Sequence, residues 1–130
     1  MLVDTAGDLI ESLHLPVVAL SDTVGTASCT DIQSAFEALV PAFPEVQFGA
    51  HLHAHPVDAR QKLQAAFDGG CRRFDGAIRG IGGCPMSGDE LVGNMPTEQI
   101  VAAMGESGHW CVKDARAWAA AQAFAADLFA

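Results

Sequence analysis

Val46-Gln47-Phe48-Gly49-Ala50-His51-Leu52-His53 is the stretch on which the reading of this chain turns. Successive side chains of a β-strand point to opposite faces. Laid out that way, Val46, Phe48, Ala50 and Leu52 make one apolar face, and Gln47, Gly49, His51 and His53 make the other. Such a strand packs its apolar back under helices and turns a polar front into a site. Helical patterns flank it on both sides. Upstream, Ile32, Ala35, Phe36, Leu39 and Val40 recur at i, i+3, i+4, i+7 and i+8. Thr30 or Asp31 is the expected cap of that helix, and Pro41 and Pro44 its end. Downstream, Ala59, Leu63, Ala66 and Phe67 share one face of a helix over residues 57–68, closed by Gly69-Gly70.

The same rhythm runs outward in both directions. Residues 3–13 read as a helix and 17–21 as a short apolar strand closed by Asp22-Thr23. Residues 73–78 read as a third strand, 79–96 as a glycine-rich loop, 97–104 as a short helix and 112–129 as an alanine-rich one. Strands that alternate with helices form a parallel sheet with helical crossovers. The fold class is therefore α/β. Asp22-Thr23, His51/His53 and residues 79–94 all follow strands, at the carboxyl edge where such sheets bind ligands. Leu20, Gly49 and Ala77 are expected on the inner face of the sheet. Three strands make less than half of an eight-stranded barrel.

Composition narrows the function. The chain has 130 residues, half of them hydrophobic, and a net charge of −9. Only 7 residues are Lys or Arg, too few for a basic surface that would meet nucleic-acid phosphates. No apolar run reaches the ~18 residues needed to cross a bilayer. The first residues lack signal-peptide order. Cys29, Cys71, Cys84 and Cys111 are scattered without a CxxC, the pattern of reduced thiols in a cytoplasmic compartment.

His51-x-His53 carries the strongest chemistry. Two imidazoles on one strand face suit Mn, Fe, Co or Zn, and Mg in a mixed oxygen-nitrogen set. The bland alternative is a pair of half-buried, hydrogen-bonding histidines. His55 is expected at the rim. Asn94 offers a carbonyl oxygen to a hard cation or serves a turn. Asp22 ligates metal, holds a substrate hydroxyl or caps the next turn. Cys84 sits in Gly80-Ile81-Gly82-Gly83-Cys84-Pro85, where glycines let a thiol approach a ligand as acid or base. Cys29, Cys71 and Cys111 fit the usual fate of free cysteine, burial as a small side chain. Arg72, Arg73 and Arg79 meet an anionic substrate or pair with neighbours such as Asp75.

Ser21-Asp22-Thr23-Val24-Gly25, His51-Leu52-His53, the Gly80 to Pro85 stretch and Gly93-Asn94 occur in one order. In that order they resemble the C-terminal part of 3-hydroxy-3-methylglutaryl-coenzyme A lyases. The resemblance implies a TIM-type (β/α)8 barrel, of which this chain is the last three βα units and a C-terminal helix. It implies a divalent cation, Mg or Mn, held by His51, His53 and Asn94. It implies catalytic roles for Cys84 and Asp22, an acyl-CoA substrate, and cleavage to acetoacetate and acetyl-CoA. The family commonly follows its two histidines with Asp and Thr, where this chain has Ala54 and His55. The resemblance also implies further ligands from barrel strands that this chain does not contain. A missing N-terminal half-barrel, or a second copy of the chain, is the expected partner. The rival readings are a non-catalytic subunit and a related aldolase or Claisen-condensing enzyme.

Overall fold

The computed structural model describes residues 1–83, 92–108 and 111–130. Its elements run α1 (Leu2–Leu13), β1 (Val17–Asp22), α2 (Cys29–Ala42), β2 (Gln47–Ala54), α3 (Ala59–Asp68), β3 (Arg73–Phe74), β4 (Gly93–Asn94), α4 (Thr97–Glu106) and α5 (Ala115–Leu128). β1 lies parallel to β2 over six residue pairs, from Val17 opposite Gln47 to Asp22 opposite Leu52. β2 is the centre of the sheet. On its other side β3 pairs in parallel with Gly49 and Ala50, and β4 pairs antiparallel with His53 and Ala54.

The two-faced pattern of β2 holds. Phe48, Ala50, Leu52 and Ala54 are buried, and they pack with Ile32, Phe36 and Leu39 of α2 and with Ala59, Leu63 and Ala66 of α3. The stripes at i, i+3, i+4 and i+7 turn both helices onto this side. α2 starts earlier than its apolar stripe. Ser28, not Thr30 or Asp31, is its cap, and its hydroxyl accepts the Asp31 N–H at 3.1 Å. The Asp31 carboxylate accepts the Ser28 N–H in return. Hydrogen bonds from Ser28 hold the Asp31 carboxyl below its ordinary pKa. Pro41 lies inside α2 rather than ending it. Ala42 alone follows in the helix, so the missing N–H falls in the last turn.

Two other expectations need correction. The third strand is two residues long, not six. Gly76 follows in a close fit that admits no side chain: a Cβ there would lie 2.5 Å from Ile100 and 2.7 Å from the Met95 carbonyl. The chain turns, and Ala77 pairs with Pro96. The glycine-rich stretch is not wholly irregular either, because it contains β4. Gly83 bridges Gly93, and a Cβ on Gly83 would lie 2.5 Å from the Val92 carbonyl. Backbones this close exclude a side chain.

Leu20 also departs from expectation. It pairs with Ala50 and therefore faces the helices, while Ser21 pairs with His51 on the front. A cavity of about 220 Å³ lies on this helix side, among Leu20, Ala27, Ile32, Phe36 and Leu52.

Candidate metal centre

β2 brings His51 and His53 to the front at its carboxyl end. Their ring centroids are 5.2 Å apart and the planes are inclined by 76°. The environments differ. His53 is 5% exposed, whereas the His51 side chain is 43% exposed. His53 Nδ1 lies 3.1 Å from the Asp22 carbonyl oxygen. That oxygen can only accept, so Nδ1 carries the proton and Nε2 of the neutral ring keeps its lone pair. Metal-bound imidazoles are commonly oriented in this way, through the other ring nitrogen. His51 Nδ1 is 3.6 Å from an Asp75 oxygen, and Arg73 approaches the same carboxylate at 3.5 Å.

β4 supplies the third candidate. Asn94 lies directly opposite His53 in the antiparallel pair. Its side-chain Nδ2 donates to the Ile81 carbonyl at 2.9 Å. The Asn94 amide nitrogen is thereby engaged, and Oδ1 is the oxygen left to face a cation. Two imidazole nitrogens and one amide oxygen fit Mn, or Mg with water completing its shell. Among the described residues, no group of three or more His, Cys, Asp and Glu side chains could hold a metal. Two histidines and an asparagine would by themselves make a partial donor set for an octahedral ion.

Asp22 is placed differently from the histidines. It pairs with Leu52, so its side chain leaves the sheet on the helix side. Its carboxylate accepts the Thr26 N–H at 3.0 Å, the Ala27 N–H at 3.1 Å and Lys62 Nζ at 2.9 Å. Only its backbone oxygen reaches the site, through His53. Cys84 lies outside the described residues. His55 is exposed, just beyond β2.

The remaining cysteines and arginines are accounted for locally. Cys71 is buried with its thiol against the Arg73 carbonyl, and desolvation pushes its pKa up to about 11. Cys29 and Cys111 are free thiols, half-buried and exposed. Arg72 lies over the Phe67 ring at 3.9 Å. Arg79 reaches the carbonyls of Ala125 and Ala126 at the end of α5, where a cation suits the helix dipole.

Two residues were not singled out as site residues in the sequence: Asp75 beside His51, and Lys62 beneath His53. Lys62 had a legible signal. It stands at i+3 from Ala59, beside Leu63, a charge on an otherwise apolar helical stripe.

The chain is similar to known proteins over part of their length. The hydroxymethylglutaryl-CoA lyase YngG of Bacillus subtilis is 36% identical over 84 residues, 65% of this chain and 28% of that protein. The (R)-citramalyl-CoA lyase of Chloroflexus aurantiacus is 34% identical over 84 residues, 65% of this chain and 26% of that one. The crystal structure of an HMG-CoA lyase from Brucella melitensis superposes with a TM-score of 0.76 at 25% identity, covering 97% of this chain and 44% of the other. The chain thus spans less than half the length of these relatives, and its sheet corresponds to part of a TIM barrel. The HMGL-like family model matches residues 3–123, nearly the whole chain, and the chain belongs to that family.

Proposed function

We propose that this chain is the cation-binding and cysteine-bearing part of a carbon-carbon lyase that cleaves an acyl-CoA, with 3-hydroxy-3-methylglutaryl-CoA as the substrate. On this reading residues 1–130 are the C-terminal portion of a (β/α)8 barrel, active only with N-terminal strands supplied by another chain segment, in a cytoplasmic setting. The observation that carries it is the register of β2 and β4. It sets Asn94 opposite His53 while His51 and His53 share the front face. The lyase relatives support the reaction class.

His51, His53 and Asn94 would hold the cation. A bound Mg or Mn would supply Lewis acidity to the substrate oxygens. His53 is oriented by the Asp22 carbonyl, and Asn94 by the Ile81 carbonyl. Asp22 acts through its backbone oxygen and the turn it caps. Cleavage passes the proton of the 3-hydroxyl to water, breaks the C2–C3 bond as the C3 oxygen becomes the ketone carbonyl, and leaves an electron pair on the acyl-CoA α-carbon. Cys84 gives that carbon its proton, yielding acetyl-CoA beside acetoacetate. The citramalyl-CoA lyase relative favours a second reading within the same class, in which another hydroxyacyl-CoA is split by the same groups.

The test is acetoacetate release. The chain is co-expressed with an N-terminal half-barrel from the same source, and the purified assembly is assayed with Mn. Turnover that disappears on chelation supports the reading. An assembly that binds Mn but releases no acetoacetate or other ketone product contradicts it.

A further inference from the structure

The ion pair between Lys62 and Asp22 is the one charged pair whose side chains are both deeply buried among the described residues, 9% and 8% exposed. It lies directly beneath the histidine end of β2. Lys62 Nζ donates to Asp22 Oδ2 at 2.9 Å, to the Gly25 carbonyl at 2.8 Å and to the His53 carbonyl at 3.4 Å. An ammonium has three protons, and here each has an acceptor. The three acceptors belong to the end of β1, the turn after it and the end of β2.

The turn closes the circuit. The Asp22 carbonyl accepts the Gly25 N–H at 3.2 Å and faces His53 Nδ1 at 3.1 Å. Both of its lone pairs are thus used. Gly25 sits at φ +71, and a Cβ there would lie 3.1 Å from the His53 carbonyl. The turn fits against β2 only as glycine. A buried charge on another element, α3, thus reaches the residue whose carbonyl faces His53, through that residue's carboxylate.

We infer that Lys62 is a positioning residue for His53: its buried ammonium, paired with Asp22, ties the ends of β1 and β2 together. The tie holds the Asp22 carbonyl against His53 Nδ1 and leaves Nε2 for the cation. The cation half of this inference rests on the function proposed above. The tautomer half does not.

The experiment is nitrogen-15 NMR of the histidine rings in the cation-free full chain at alkaline pH, followed by Mn titration. In the wild type, His53 should be the Nδ1–H tautomer. A His53 found as Nε2–H overturns the inference without any variant. Lys62→Met keeps the packing of the stem and removes the ammonium. It should turn His53 into a tautomer mixture and weaken Mn binding about tenfold or more, the usual effect of losing an orienting partner. Lys62→Arg should restore most of both. If Lys62→Met does not fold, Asp22→Asn/Lys62→Met leaves no lone buried charge and is read in its place. An unchanged His53 tautomer with unchanged Mn affinity overturns the inference. A His53 tautomer that changes in a chain with no histidine-dependent Mn affinity sinks the cation reading alone.

Discussion

The two sides of the central strand differ sharply. On the helix side Phe48, Ala50, Leu52 and Ala54 are closed off by α2 and α3, and Leu63 and Leu39 are fully buried. On the front, Val17 is 41% exposed, Ala19 and Ser21 are exposed, and His51 stands half in solvent. One side is a buried core, with a cavity of about 220 Å³ beside Leu20. The other is a polar site with open apolar ground at its edge, where β1 has no neighbour beyond it among the described strands. The difference separates what holds this chain together from what it leaves open to solvent.

The comparison is broken most easily by removing core volume. Leu63→Ala should cost about 2–5 kcal/mol, the range for a buried leucine that leaves a cavity. Val17→Ala should cost well under about 1 kcal/mol, since little apolar area leaves water there. Urea unfolding followed by circular dichroism measures both, and equal losses would erase the distinction. In an active assembly, Cys84→Ala should lower turnover by ~10²-fold or more with Mn affinity kept. Cys71→Ala should leave turnover near wild type, because the Cys71 thiol belongs to the helix-side core. Full activity in Cys84→Ala would make the glycine-rich stretch structural only.

Thiol labelling sharpens the same contrast at smaller amplitude. Burial raises the Cys71 pKa to about 11, so near pH 8 almost none of it is thiolate. Among the described cysteines, exposed Cys111 should label first and Cys71 last. Early labelling of Cys71 would mean that the core opens. The open side makes its own prediction. Val17 is exposed on the front and Leu9 and Leu13 on α1, so the isolated chain should elute larger than 13.6 kDa or bind a hydrophobic dye. A dye-negative monomer would show that the front needs no cover. The smallest effect belongs to the surface pair of Arg60 and Glu106, where Arg60→Ala should change stability by under about 1 kcal/mol.

What the sequence made legible follows from periodicity. The alternation along residues 46–53 places both histidines on one face, and the stripes in α2 and α3 mark the core. Three features had no periodic signal. β4 is two residues long, and its pairing depends on glycine backbones in close approach rather than on a side-chain pattern. β3 pairs only with Gly49 and Ala50, a limit that no side-chain pattern records. The side of the sheet taken by Asp22 depends on the register with β2, since a slip of one residue would bring it to the front. Lys62 was visible as a charge on an apolar stripe, but its partner lies 40 residues away in sequence.

The most direct test of the account is Mn binding by the folded chain, measured by calorimetry in the wild type and in His51→Ala/His53→Ala. The account predicts histidine-dependent binding that the double variant loses by at least a few kcal/mol, because two of its three protein donors are gone. Equal affinity in the two proteins would contradict it.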